Sequence, residues 1–424
     1  MIRRVLVFPC GSEIGLEIHR SMRFSTHFEL VGASSMDDHG RFVYETYVPG
    51  IPLHDDPGFA GHIERIIREH RIDAIYPTMD AVAETLQNMA AALPCRVIGS
   101  PPSATRICAS KSATYDRLGE LVPVPKRYAS LGQVTAFPIF VKPDRGYGSR
   151  HSGLARTENE AQVLLGAHDD EMLLLEYLPG KEWTVDCFSD RHGRLRFHAA
   201  RARNRVSHGI SVNTTPTDEF CDEFSQWAET INAQLKLRGA WFFQAREDAS
   251  GQPKLLEVAA RLGGSSSLFR CRGVNFALLS AFDAFDEDVE IAPSTYPIEL
   301  DRALDTRYKI GVNYGRVFVD LDDCLVVRGR INIQLIGFLY KALGDGKRIV
   351  LVTRHQSHPV DTLHRLRLAG LFDDIIHITD GSPKSDHIDG KDAIFIDDSF
   401  RERSEVARRH GMLVFSPDMI EALM

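Results

Sequence analysis

The sequence predicts a multidomain chain that combines α/β and α+β architecture, and three observations carry that prediction. The first hundred residues alternate short apolar runs with helical stretches, as a small parallel sheet requires. From about residue 101 to residue 300, strand candidates follow one another through turns, with one strong helix among them, which is an α+β pattern rich in hairpins. After DRALDTRYKIGVNYG, the run GRVFVDLD opens a further α/β unit that continues to residue 424.

In the first region RRVLVFP, FELVGASS, DAIYPT and CRVIGS read as strands, with the amphipathic GHIERIIREH and AVAETLQNMAAAL between them. The loop FPCGSEIG carries Gly11 and Gly15 without the G-x-G-x-x-G spacing, so it reads as a tight strand-to-helix turn and not as a dinucleotide site. The double proline of PPSATR, residues 101–106, marks a boundary. In the second region FPIFVKP, MLLLEYL, WTVDCF, LRFHAARAR, AWFFQARED and KLLEVAAR are strands, and EFCDEFSQWAETINAQL is the helix. No internal repeat or low-complexity segment interrupts the chain, which excludes a solenoid.

At roughly 150 residues per domain, 424 residues suggest about three domains. Hydrophobic residues make up 43% and charged residues 25%, which excludes wholesale disorder, collagen and coiled coil. A formal net charge of −8 argues against a generally basic, nucleic-acid-binding surface. No apolar run approaches the length of a membrane-spanning helix, so no membrane partner is expected. The early run VLVFPC is too short for a signal-peptide core and reads as a buried first strand. Seven cysteines lie scattered without a CxxC pair, which reads as a cytoplasmic protein with reduced thiols and no structural zinc.

The second region contains the parts of a nucleotide clamp in chain order. Phosphates need cations and a flexible, backbone-rich loop, and a divalent ion needs oxygen donors. Lys111 opens a helix in ICASKSAT. Lys142 ends a strand and is followed by DRGYGSRHSG, with Gly146, Gly148 and Ser149 able to bring N–H groups to phosphate oxygens. LLLEYLPGKEWTV supplies Glu176, Leu178 and Glu182, and a hairpin carries Gln244 and Glu257 on its two strands. Each piece has an ordinary structural reading when taken singly; the weight lies in the order and spacing of all of them.

Together these residues resemble the ATP-grasp superfamily, in particular the branch of the carbamoyl-phosphate synthetase large subunit and the carboxylate–amine ligases. The resemblance covers residues 1–300 and implies a Rossmann-like pre-ATP-grasp domain over 1–100 and an ATP-grasp domain over 101–305. It implies that Lys111 and Lys142 contact ATP phosphates beneath the 146–149 loop, that Glu176 and Leu178 meet adenine through their backbone, and that Glu182 binds the ribose. Gln244 and Glu257 would hold Mg²⁺, with Mn²⁺ able to substitute, and Arg261 would sit on the transferred phosphate. The family's E-x-N-x-R reads Glu257-Val-Ala-Ala-Arg261 here, so Ala259 removes one expected metal ligand. The implied chemistry is acyl-phosphate formation on a small-molecule carboxylate, followed by attack of an amine. Arg201, Arg203 and Arg205 alternate along one strand, which puts them on one face; they read either as a grip on an anionic substrate, Arg201 and Arg203 foremost, or as a solvated edge.

In the third region RVFVDLDDCLV ends a strand in Asp320, with Asp322 two residues on. RIVLVTRH ends another in Thr353, SPKSDHI supplies Lys384, and DAIFIDDSF ends in Asp397 and Asp398. Carboxylates at strand ends with a hydroxyl and a lysine suit a phosphate-plus-metal site. This set resembles the haloacid dehalogenase (HAD) superfamily of aspartyl-phosphate phosphatases, over residues 312–424. By resemblance Asp320 is the nucleophile and a Mg²⁺ ligand, Asp322 the general acid/base and a further ligand, Thr353 and Lys384 hold the phosphoryl group, and Asp397 and Asp398 bind Mg²⁺. Lys391 fits the lysine role less well than Lys384, and Cys324 stands where the family has threonine or valine. Thr353 follows Asp322 by only 31 positions, which leaves no space for a large cap and implies a capless, Rossmannoid HAD-like domain.

The leading expectation is a bifunctional enzyme, an ATP-dependent carboxylate–amine ligase fused to a Mg²⁺-dependent phosphatase that acts on a linked phosphorylated metabolite. The alternatives are a phosphatase with an ATP-sensing, catalytically weak clamp, carbamoyl-phosphate-like chemistry, and a non-enzymatic binding module. Synthetase-like folds commonly dimerise, so a homodimer is an open expectation.

Overall fold

Val5, Leu6, Val7 and Phe8 are all at most 1% exposed, which is what a strand covered on both faces of a parallel sheet demands. In the computed structural model, which describes residues 2–424 apart from 147, 149, 168–170, 305 and 309, that strand (Arg3–Phe8) is the centre of a five-stranded sheet. The sheet order is Thr46–Val48, Phe28–Ala33, Arg3–Phe8, Ala74–Pro77, Arg96–Val97, all parallel. The order reverses between Arg3–Phe8 and Ala74–Pro77, a topological switch point of the kind that opens a crevice at the carboxyl ends of the strands.

The chain divides into two compact units, Met1–Leu304 and Asp305–Met424. Residues 1–100 belong to the first unit because one face of their sheet shares its core with later segments. Val5, Val7 and Tyr76 pack in one cluster with Phe188, Ala240 and the helix residues Phe276, Ala277 and Ala281. The opposite face is covered by the helix Phe59–Glu69, whose Ile63, Ile66 and Ile67 recur at helical spacing.

Two antiparallel sheets complete the first unit. One has the order Arg127–Tyr128, Met172–Glu176, Ile139–Pro143, Gly153–Ala155. The other has the order Pro253–Ala259, Gly239–Glu247, Glu182–Ser189, Leu195–Ser207, Ile210–Pro216, Leu300–Asp301. The helix Cys221–Leu235 lays Phe224, Trp227, Ala228, Ile231 and Leu235 on the larger sheet, against Trp183 and Phe243.

The second unit has a parallel sheet of its own, in the order Asp374–His377, Arg348–Thr353, Arg316–Val319, Ala393–Ile396, Leu413–Phe415. Separate apolar clusters cover its two faces, one with the helix Ile333–Gly344 and one with Phe400–His410. Between Asp322 and Thr353 stand only the hairpin Val326–Val327/Arg330–Ile331 and that first helix, so no cap domain is inserted there. All seven cysteines are free thiols. Among the described residues no helix is long and apolar enough to cross a membrane.

Candidate active sites

In the first unit one cavity of about 640 Å³ lies between the two antiparallel sheets, a volume suited to a nucleotide-sized ligand. Lys111, Lys142, Gly146, Gly148, Glu176, Leu178, Glu182, Arg203, Gln244 and Glu257 all line it. The structure thus brings together residues that stand as far apart as 111 and 257 in the chain. Ser149, expected in the same loop, lies outside the described residues. Gly146 and Gly148 have φ values of 131° and 64°, which a side chain would strain, so the loop's course depends on glycine at both positions.

Lys142 occupies the end of the strand Ile139–Pro143, and its ammonium donates to Tyr115 Oη at 3.1 Å and to the Leu256 carbonyl at 3.3 Å. Burial pushes its pKa down to about 8, although Glu257 and Glu182 work in the other direction. Lys111 opens the helix Lys111–Leu118, with Ser110 as N-cap, and donates to the carbonyls of Asp144 and Gly146 at 3.1 and 3.4 Å. Its pKa is also lowered, chiefly by burial. Asp144 receives the Ser112 N–H at 2.7 Å and so ties the Lys142 strand to the Lys111 helix. Gln244 stands opposite Glu257 in the hairpin register, and a bulge follows directly between Gln244 and Ala245. Their adjacent oxygen donors fit a hard divalent cation, while Ala259 is buried opposite Phe242 and offers it nothing.

The structure divides the three arginines that alternate in the sequence. Arg201 is buried and donates to Asp186 at 2.6 Å, Arg203 places Nε 2.8 Å from Glu182, and Arg205 is exposed and pairs with Asp301 at 2.7 Å. The register shifts after Arg203, which breaks the simple alternation that put all three on one face. Arg203 instead joins the cavity at the carboxylate expected to hold ribose. Arg261 lies just past its strand and pairs with Asp80 at 2.7 Å. Tyr115, Asp144 and Asp80 escaped sequence reasoning; of these only Asp144, two residues after Lys142, had a local signal.

In the second unit Asp320, Thr353 and Asp397 stand at the carboxyl ends of three adjacent parallel strands. Lys384 reaches between two of them, with Nζ 2.8 Å from Asp320 and 2.6 Å from Asp397. One carboxylate oxygen from each of Asp320, Asp397 and Asp398 lies within 4.8 Å of the others, so this set fits a hard divalent cation. Burial pushes Asp320 up to about 6 despite Lys384 beside it. Burial also works against the Lys384 charge, but Asp320 and Asp397 outweigh it and hold the ammonium above its ordinary value. Thr353 is fully buried, and its hydroxyl accepts the His355 N–H at 3.1 Å. Asp322 stands apart from the carboxylate cluster, with both oxygens 2.9 Å from His355 Nδ1, while His355 Nε2 meets Thr362 at 3.0 Å. Lys391 is exposed. His355 was not anticipated, although it lies only two residues past Thr353.

A family profile described as ATP-grasp in the biosynthetic pathway with Ter operon matches residues 168–305. The structure is similar to N5-carboxyaminoimidazole synthetase from Staphylococcus aureus complexed with ADP, with a TM-score of 0.59 and 15% identity over 72% of this chain and 82% of that one. The first unit has the ATP-grasp fold. An L-amino acid ligase from Bacillus licheniformis matches with a TM-score of 0.53 and 18% identity, over 67% of this chain and 74% of that one. Pyruvate carboxylase from Rhizobium etli matches with a TM-score of 0.56 and 17% identity, over 68% of this chain but only 29% of that one. No curated protein matches the sequence. The ATP-grasp architecture accounts for the cavity between two antiparallel sheets. The profile match ends at residue 305, so any reading of the second unit rests on that unit's own residues.

Proposed function

We propose that the chain is an ATP-dependent carboxylate–amine ligase joined to a divalent-metal-dependent phosphatase. In this reading residues 1–100 are the pre-ATP-grasp domain, 101–305 the ATP-grasp domain and 312–424 a capless, HAD-like phosphatase domain. The observation that carries the ligase half is the convergence of Lys111, Lys142, Glu182, Gln244 and Glu257 on one cavity of about 640 Å³. Lys111 and Lys142 hold the phosphates of ATP, and Lys142 is kept in place by Tyr115 and the Leu256 carbonyl. Glu176 and Leu178 meet adenine through their backbone, and Glu182 takes the ribose hydroxyls once Arg203 releases it. A substrate carboxylate attacks the γ-phosphorus, ADP leaves, and an amine then displaces phosphate from the acyl phosphate to form an amide. Arg261 offsets negative charge on the transferring group. Gln244 and Glu257 would hold Mg²⁺, which neutralises phosphate charge when bound.

For the second unit, the grouping of Asp320, Lys384, Asp397 and Asp398 supports phosphate-ester hydrolysis. The Asp320 carboxylate attacks phosphorus and the alcohol departs with a proton from Asp322. Water, giving a proton back to Asp322, then attacks the aspartyl phosphate, which releases inorganic phosphate and restores the Asp320 carboxylate, while Thr353 and Lys384 hold the phosphoryl oxygens. Asp320, Asp397 and Asp398 would hold the divalent ion, which lowers the charge barrier to that attack. Ala259 favours one second reading, in which the ATP-grasp site only senses nucleotide and the phosphatase is the sole catalyst.

The test is ADP release from MgATP with amino acids and small carboxylates, in an Asp320→Ala background that silences the phosphatase. Acceptor-dependent release that disappears on Lys142→Ala is expected. Nucleotide binding with no release under any acceptor would favour the sensing reading.

A further inference from the structure

In the second unit one close contact has no role in the reaction as described so far, the one between Asp322 and His355. His355 Nδ1 lies 2.9 Å from both carboxylate oxygens of Asp322, and among the described residues no other side chain bonds that carboxylate. Asp322 lies in the turn after the strand Arg316–Val319, is not among the carboxylates that gather with Asp320, and has a side chain 53% exposed. A carboxylate this open samples several rotamers unless a neighbour holds it. An ion pair at such exposure adds little stability, so its consequence lies in where it puts the carboxylate.

His355 itself has no such freedom. Its backbone N–H donates to Thr353 Oγ1 at 3.1 Å, and its carbonyl accepts from His377 Nε2 at 2.8 Å. On the ring, Nε2 meets the Thr362 hydroxyl at 3.0 Å. Thr362 is buried in the helix Pro359–Arg365, so the ring is anchored to a packed element. In the neutral ring a carboxylate at Nδ1 keeps the proton on that nitrogen, which leaves Nε2 to accept from Thr362. One residue is thus bonded at once to Thr353, the proposed phosphoryl holder, and to Asp322, the proposed proton donor.

We propose that His355 is a positioning residue for phosphate-ester hydrolysis, one that holds the Asp322 carboxyl at a fixed place relative to a phosphoryl group at Thr353. This rests on the phosphatase reading of the second unit and deepens it. In the first step a bond forms between an Asp320 oxygen and phosphorus, and the phosphorus–oxygen bond to the alcohol breaks. The departing oxygen takes the proton of Asp322. His355 neither gives nor takes a proton: one carboxyl oxygen of Asp322 accepts from Nδ1, and the other is left to carry the proton that moves. That transfer needs the donor within hydrogen-bond reach of the departing oxygen, and a freely rotating Asp322 would lose it. The contribution of His355 is therefore largest for a leaving group too basic to depart without a proton.

Steady-state hydrolysis of two esters by the full-length chain, with excess Mg²⁺, tests this. p-Nitrophenyl phosphate releases a phenolate that departs without a proton, whereas phenyl phosphate releases a far stronger base. His355→Leu should cut kcat on phenyl phosphate by roughly 30- to 100-fold and on p-nitrophenyl phosphate by only about threefold, with both KM values within about twofold. His355→Asn, whose amide nitrogen can stand where Nδ1 stands, should recover most of the loss. On phenyl phosphate the double variant His355→Leu/Asp322→Asn should be no slower than Asp322→Asn alone, because both changes remove one function. If His355→Leu does not fold, Thr362→Val, which removes only the anchor of the ring, should show the same preference at roughly fivefold. Equal losses on the two esters, parent-like rates in the variants, or a double variant slowed by the full product of the single losses would overturn the role of His355 and leave the phosphatase reading standing. Hydrolysis of neither ester by the parent chain, or hydrolysis that survives Asp320→Ala, would sink the phosphatase reading and this inference with it.

Discussion

Lys142 and Tyr115 form a single buried unit, in which the ammonium donates to the phenol oxygen at 3.1 Å while the phenol donates to the Leu256 carbonyl at 2.7 Å. This chain of contacts ties a phosphate-binding candidate to the strand that carries Glu257, one residue further on. Tyr115→Phe removes the acceptor without changing the ring. Affinity for MgADP should fall about fivefold to tenfold, close to 1 kcal/mol, with the melting temperature little changed. Isothermal titration of the two proteins measures it.

The lowered pKa of Lys142 gives nucleotide binding a pH dependence of definite sign. The free site holds its proton below about pH 8 and loses it above. MgADP affinity should therefore be flat from pH 6.5 to about 7.5 and weaken progressively above pH 8. Because the folded value lies below the ordinary lysine value of 10.5, the unfolded chain binds the extra proton between the two. The unliganded protein accordingly gains stability from this group as pH rises through that window, the opposite trend to binding. Titration calorimetry and denaturant unfolding at matched pH values separate the two.

Much of each candidate site was legible because its residues sit beside strong local signals. Lys142 ends an apolar strand before a glycine-rich loop, and Asp320 ends the run RVFVD. What the sequence could not reveal is which charge faces which across neighbouring strands. Arg201 and Arg203 alternate cleanly in the chain, yet one is neutralised by Asp186 and the other leans on Glu182, and the bulge after Arg203 has no composition cue. Arg261 meets Asp80 from almost two hundred residues away, and Arg302 meets Glu13 from further still. The same distance effect hides the join between residues 1–100 and the rest of the first unit, since Val5 and Phe276 share a core that only the folded chain reveals.

Glu257 faces Gln244 in the hairpin register, and Ala259 on the same strand has no oxygen donor in its side chain; in the proposed Mg²⁺ site, Glu257 is the carboxylate. With one carboxylate in that set, Glu257→Gln should raise the Mg²⁺ concentration needed for half-maximal ADP release by tenfold or more. KM for the acceptor should stay within about twofold. A magnesium titration of initial rates decides it.

In the second unit Lys384 is the cation between Asp320 and Asp397. Lys384→Met leaves two buried carboxylates facing each other and should cost about 3–5 kcal/mol in the stability of that unit at neutral pH. The loss should shrink toward pH 5, because Asp320, raised to about 6 even beside the lysine, protonates there. Denaturant unfolding at pH 5 and pH 7.5, followed by far-UV circular dichroism, reads both values.

Ligase chemistry in the first unit requires that the cavity between its two antiparallel sheets bind a magnesium nucleotide through Lys142. Isothermal titration of MgADP into the full-length chain and into a folded Lys142→Ala variant tests it most directly. Saturable, stoichiometric binding by the parent chain, weakened at least a hundredfold in the variant, is the predicted result. No saturable binding by the parent chain, or equal affinity in both proteins, would contradict it.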